Sequence, residues 1–216
     1  MIRRYFIRTL VSTLLATAAM ALTAPWAGAA DAPTVMVLGD SLSAEYGLAR
    51  GSGWVALLEQ RLATRKPSVR VVNASISGDT TSGGRARLPA LLTREHPSVV
   101  VIELGGNDAL RGLPLEMTQA NLTAMTQAAQ KAGAKVLLTG MQVPPNYGAD
   151  YGKRFAAVYT QVAQSTGAAL VPFLLKGVAD GPDAMALFQA DRIHPKAEAH
   201  PTILRNVWPT LEPLLK

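Results

Sequence analysis

Four short stretches hold the polar groups of this chain that could do chemistry, and three of them stand where an apolar run stops. Gly39-Asp40-Ser41 ends the run "TVMVLG" (34–39), Ser77-Gly78-Asp79 comes shortly after "VRVVNA" (69–74), and Gly105-Gly106-Asn107-Asp108 follows "VVVIEL" (99–104). The fourth, Asp191-Arg192-Ile193-His194-Pro195, lies near the C-terminal end. A serine hydroxyl attacks an acyl carbon only when a base takes its proton and a third group holds that base in the correct tautomer. The oxyanion that forms needs hydrogen-bond donors already in place.

The chain has three histidines. His96 stands between a helical pattern and the strand that starts near Ser98, on the rim opposite the three polar stretches. His194 and His200 each precede a proline, which disfavours helical backbone, but only His194 has a carboxylate three residues earlier. A turn from Asp191 to His194 would set the acid on one ring nitrogen and leave the other free for the Ser41 proton. Gly78 and Ser41 would offer backbone N–H groups, and Asn107 a side-chain amide. Each stretch alone also has a plainer reading: Asp191 as cap of a helix opened by Pro195, Gly78 as a turn glycine, Asn107 as a turn or cap residue.

The elements around these stretches explain why they should meet. Five short, nearly continuous apolar runs, "KVLLTG" (135–140) and "AALVPF" (168–173) completing the set, read as strands buried on both faces of a parallel sheet. Helical patterns lie between them: "SGWVALLEQRLATR" with Ser52 as expected cap, "GGRARLPALLTREH", "PLEMTQANLTAMTQAAQKAG" ending at Gly133, "DYGKRFAAVYTQVAQSTG" with Asp150 as expected cap and Gly167 as stop, and a last one after Pro195. Strand and helix alternating five times predicts one α/β domain with helices on both faces of the sheet. Sites in such sheets lie beyond the carboxyl ends of the strands, where the polar stretches would converge.

Residues 1–29 read separately from the fold. Arg3, Arg4 and Arg8 precede an uncharged, largely apolar run, and "AGAA" offers cleavage after Ala29, the pattern of a removed export signal. The run is short for a membrane span. "RRYFIR" also resembles a twin-arginine signal, so the Sec and twin-arginine routes both stay open, with a periplasmic destination expected and secretion as the alternative. Cleavage would leave about 187 residues, a single domain spanning 30–216, and 18 basic residues against 15 acidic ones, a net charge of +3 instead of +6. With no cysteine there is no disulfide framework. With 6% aromatics and basic residues scattered over helices (Arg61, Arg65, Arg85, Arg87, Arg94), no nucleic-acid partner is expected. A mildly basic face is compatible with transient contact with anionic lipid surfaces, and equally with solvated helices.

"GDSLS", Gly78 within "NASISGDT", "GGND" and "DRIHP" resemble, in order and spacing, the four sequence blocks of the SGNH (GDSL) hydrolases, and the resemblance spans essentially all of the chain after residue 29. "VVNASISGDT", "ARLPALL", "ELGGNDALRG" and "PNYG" resemble most the periplasmic acyl-CoA thioesterase, lysophospholipase and arylesterase subgroup. The resemblance implies a three-layer α/β/α sandwich with a five-stranded parallel sheet (the flavodoxin-like SGNH hydrolase fold), no cofactor or metal, and an acyl-serine intermediate. It implies Ser41 as nucleophile, Asp191 and His194 as orienting acid and base, and Ser41, Gly78 and Asn107 as oxyanion donors. Substrate contacts fall at Asp108, Leu110, Val143 and Tyr147. Arg192 departs from the pattern, since relatives often carry glycine there. The frame Gly39-Asp40-Ser41-Leu42-Ser43 is not the G-x-S-x-G elbow.

The expected activity is hydrolysis of acyl esters and thioesters (acyl-CoA, aryl esters, lysophospholipids) by a monomer. Alternatives from the same residues are a carbohydrate or peptidoglycan O-acetylesterase, a metal-dependent phosphoesterase using Asp40, Asn107, Asp108 and His194 as ligands, and a binding protein that has lost catalysis.

Overall fold

The computed structural model describes residues 33–216; the leader expected at 1–29 lies outside them. Five strands, β1 (Thr34–Gly39), β2 (Arg70–Asn73), β3 (Val99–Glu103), β4 (Lys135–Thr139) and β5 (Ala169–Val171), pair in parallel in the order β2-β1-β3-β4-β5. The apolar runs explain the centre of this sheet: every residue of β1 and β3 is buried, and their register sets Val37 beside Val101 and Gly39 beside Glu103. At the edge the expectation of burial on both faces fails. β2 has one neighbour and only half-buries Val71 and Val72, because an edge strand is not covered on its outer side.

Six helices complete the domain: α1 (Trp54–Arg65), α2 (Thr81–Glu95), the short α3 (Gly106–Leu110), α4 (Leu115–Lys131), α5 (Ala149–Thr166) and α6 (His200–Leu211). α1 and α6 pack together on one face, while α2, α4 and α5 form the layer on the other. This is the expected three-layer α/β/α sandwich. Trp54, Phe155 and Tyr159 are among its largest fully buried side chains.

Two expected caps are made differently. Ser52 does not cap α1; its hydroxyl donates to the Ala49 carbonyl at 2.6 Å, and the first N–H of the helix, that of Trp54, donates to His200 Nδ1 at 3.0 Å. The Glu45 carboxylate takes the preceding Gly51 and Gly53 N–H groups instead. Asp150 lies in the first turn of α5, where its charge still complements the helix N-terminus. Gly167 ends α5 in the left-handed conformation at φ 71°, as its position predicts.

Candidate active site

β1 delivers Ser41 through a turn that depends on a missing side chain. A Cβ on Gly39 would come within 2.7 Å of Glu103 Oε2 and 2.9 Å of Ser43 Oγ, so no larger residue fits while the Glu103 carboxyl lies against this backbone. The Asp40 carbonyl then accepts the N–H groups of Ser43 (3.2 Å) and Ala44 (3.0 Å), and Asp40 Oδ1 accepts that of Leu42 (3.0 Å). These bonds close a helical turn with the half-buried Ser41 at its head. Among the described residues, the Ser41 N–H donates to no protein group.

The β5–α6 connection brings His194 and Asp191 to the serine. His194 Nε2 lies 2.8 Å from Ser41 Oγ, and Nδ1 lies 2.6 Å from Asp191 Oδ2. With Nδ1 protonated and donating to the carboxylate, Nε2 keeps the lone pair that accepts from Ser41. Asp191 Oδ1 also accepts the N–H groups of Ile193 (2.9 Å) and His194 (3.0 Å). Burial pulls this carboxyl upward, but the N–H groups of His194 and Ile193, together with the imidazole, outweigh it and hold the acid at about 2. Between them Arg192 sits at φ 59°. That left-handed backbone costs a residue with a Cβ about 1 kcal/mol, which explains why glycine suits this position.

Gln189 locks the loop onto the nucleophile turn. Its backbone exchanges hydrogen bonds with the loop, accepting from Arg192 N (2.9 Å) and donating to the His194 carbonyl (2.8 Å), while its side chain donates to the Tyr46 carbonyl (2.9 Å). The Tyr46 ring in turn lies 4.4 Å from the imidazole, tilted 39°. Neither Gln189 nor Tyr46 stands out in the sequence; only the proximity of Tyr46 to "GDSLS" hinted at a role. The other histidines are elsewhere. His96 is exposed at the C-terminus of α2, and His200 is buried, where desolvation keeps its pKa low and Nδ1 serves the α1 backbone.

The donor side of the site comes from β2 and β3. Gly78 turns at φ 79°, and its N–H, like that of Ser41, has no protein acceptor among the described residues. Its carbonyl accepts from Arg111 at 2.8 Å. Asn107 Nδ2 donates to Asp40 Oδ2 (3.0 Å) and to the Asp79 carbonyl (2.9 Å), so both of its protons are engaged. Arg87, which looked like one more scattered basic residue, ties the rim together: it pairs with Asp79 (2.8 Å) and donates to the carbonyls of Ala74 and Gly39.

A family model described as the GDSL-like Lipase/Acylhydrolase family matches residues 37–201. The chain belongs to that family. It is 56% identical over 186 residues to Esterase TesA of Pseudomonas aeruginosa PAO1, covering 86% of this chain and 91% of that one. To Thioesterase 1/protease 1/lysophospholipase L1 of Escherichia coli K12 it is 42% identical over 187 residues, 87% of each chain. The crystal structure of TesA superposes with a TM-score of 0.80 at 56% identity, over 84% of this chain and 99% of that one.

Within this GDSL hydrolase the expected substrate contacts divide. Leu110 is 44% exposed at the end of α3, on the rim that carries Asn107. Asp108 is fully buried, and its role is a correction: its carboxylate accepts from the Thr81 N–H (2.9 Å), the Thr81 hydroxyl and the Thr118 hydroxyl (3.3 Å). These bonds tie Asp108 to the first residue of α2 and engage both of its carboxylate oxygens. Val143 lines a cavity of about 280 Å³ with Gln142, Pro145 and Gly152, and Tyr147 stacks on Tyr151 at 6.1 Å. Neither touches the Ser41–His194 pair through a hydrogen bond or a ring contact.

The ligand set Asp40, Asn107, Asp108 and His194 is not a set. Asp108 is enclosed by threonines, Asp40 is buried against Leu42 and Asn107, and Asn107 offers its nitrogen to both neighbours.

Proposed function

We propose that this GDSL hydrolase cleaves carboxylic esters and thioesters, acyl-CoA, aryl esters and lysophospholipids among them, through an acyl-serine intermediate. The observation that carries the reading is the unbroken relay Asp191–His194–Ser41 beside two backbone N–H groups without protein acceptors. Ser41 Oγ attacks the acyl carbon as its proton passes to His194 Nε2, and Asp191 stabilises the imidazolium. The oxygen that becomes negative takes the N–H groups of Ser41 and Gly78 and the amide of Asn107. His194 then returns the proton to the departing alkoxide or thiolate. A water activated by the same nitrogen attacks the acyl-serine, releasing the acid and restoring the hydroxyl.

Four exposed apolar side chains support an acyl or aryl substrate over a sugar. Tyr46 (50%), Ile76 (53%) and Ile193 (45%) lie on three different connections, and Leu110 (44%) ends α3, at the rim that carries the site. The same rim supports transient contact with lipid surfaces. One chain supplies every group of the relay, which supports a monomer. The names of the relatives at 42% and 56% identity support both ester and thioester turnover. The export pattern at 1–29 supports a periplasmic setting.

Ser41→Ala tests the proposal. It should lower kcat on a p-nitrophenyl ester by roughly 10⁴- to 10⁶-fold and abolish labelling by a fluorophosphonate, with an unchanged circular dichroism spectrum. Hydrolysis at the original rate in the folded variant would refute it.

A further inference from the structure

Beneath the nucleophile lie two carboxyl groups that the reaction above does not use. Glu103, the last residue of β3, is 1% exposed, and Asp40 is 3% exposed. Because Gly39 opposite has no side chain, Glu103 reaches under the turn, where Oε2 accepts the Asp40 N–H (3.2 Å) and the Ser43 hydroxyl (2.8 Å). Ser43 Oγ is held in turn by Trp54 Nε1 at 3.1 Å. Glu103 Oε1 is buried with no hydrogen-bond partner among the described residues. Asp40 also accepts two hydrogen bonds, but one on each oxygen: Oδ1 from Leu42 and Oδ2 from Asn107.

No lysine or arginine among the described residues forms an ion pair with either group. The groups that face them are His194 of the β5–α6 connection and Asn107 of α3, both toward Asp40, and Ser43 and Asp40 itself toward Glu103. Tyr159 of α5, whose hydroxyl donates to the Leu104 carbonyl, senses both carboxyls and Asp108. An uncompensated buried charge costs several kcal/mol, and neighbouring carboxyls disfavour double ionisation. One proton therefore belongs to the pair.

We propose that Glu103 holds that proton and Asp40 the negative charge, so that Glu103 is a neutral positioning residue that fixes Asp40 against the amide of Asn107. The asymmetry of donors decides the placement. Both donors to Glu103 fall on Oε2, so an ionised Glu103 would leave Oε1 charged and without a donor, whereas an ionised Asp40 has a donor on each oxygen and faces the imidazole that becomes positive in turnover. Burial pushes both acids up, and the negative Asp40 drives Glu103 further, well above the carboxylate range. Held as an acceptor, Asp40 Oδ2 fixes the orientation of the Asn107 amide at the oxyanion site.

The kinetic part rests on the functional reading above; the spectroscopic part does not. Infrared difference spectra of the folded enzyme at neutral pH, original against Glu103→Gln, should show the carbonyl band of a protonated carboxylic acid that the variant lacks. Glutamine reproduces the neutral group, accepting through its oxygen, so kcat and KM on a p-nitrophenyl ester should stay within about threefold, whereas Glu103→Ala should lower kcat more than about tenfold. If the alanine variant does not fold, the glutamine variant and the spectra still decide. Absence of the band in the original enzyme, or a folded Glu103→Gln that loses kcat as heavily as Asn107→Ala, would overturn the assignment. An intact band in an enzyme that neither hydrolyses esters nor takes a fluorophosphonate would overturn the functional reading and leave the proton on Glu103.

Discussion

Asp40 and Asp191 are the same residue type on either side of one serine, and their carboxyls shift in opposite directions. Asp191 stands on an exposed loop, meets two backbone N–H groups and the imidazole, and is held at about 2. Asp40 lies in the floor of the site, where burial outweighs its hydrogen bonds from Leu42 and Asn107 and raises it to about 6. The contrast teaches that donors prevail where water still reaches a carboxylate and desolvation prevails where it does not. In the proposed reaction it also separates two tasks: the loop moves protons, and the floor holds donors still.

The loop is the easier half to break. Asp191→Asn would let an amide N–H face His194 Nδ1, which shifts the ring proton to Nε2 and removes the lone pair that Ser41 needs. We expect kcat on a p-nitrophenyl ester to fall by roughly 10⁴-fold; a loss under tenfold would show that the relay does not govern the rate.

Against the floor, Asn107→Ala removes one of the three donors proposed for the oxyanion and should lower kcat by on the order of 10² to 10³. A loss confined to KM in steady-state measurements would show that Asn107 serves binding instead. Tyr46 joins the halves through its ring on the imidazole. Tyr46→Ala should cost about two- to tenfold in kcat, and Tyr46→Phe almost nothing, because the face of the ring makes the contact.

The smallest effect is on stability, and its sign differs between the two acids. Asp191, lowered from 3.8 to about 2, contributes stability that is complete above pH 3.8 and is lost as pH falls toward 2. Asp40, raised from 3.8 to about 6, contributes stability that is complete below pH 3.8 and is lost as pH rises through 6. Urea midpoints should therefore lose part of their dependence on pH below 3.8 in Asp191→Asn, and part of it between 3.8 and about 6 in Asp40→Asn. The same pH profile in both variants and the original would erase the contrast.

Much of the architecture was legible because local chemistry set it. Continuous β-branched runs read as strands, and the order of the polar stretches placed Ser41, Gly78 and Asn107 after the first three of them. The readings that failed did so for lack of neighbours. Asp108 looked like a site residue, but the N-terminus of α2 claims its carboxylate. Ser52 looked like a cap, but His200, far along the chain, takes the N–H in question. Glu103 drew no notice, although a lone acid closing the apolar run "VVVIEL" was a signal available to be read.

By itself, then, the sequence determined the alternation of strands and helices, the residue types at the rim and the glycines at 39 and 78, since these follow from periodicity, side-chain chemistry and the space a Cβ needs. Only the tertiary structure decided which carboxylate meets which donor. Ionisation and hydrogen-bond partnership depend on groups brought within about 3 Å and on the water they exclude, and neither quantity exists until β1, β3 and the β5–α6 connection are packed together.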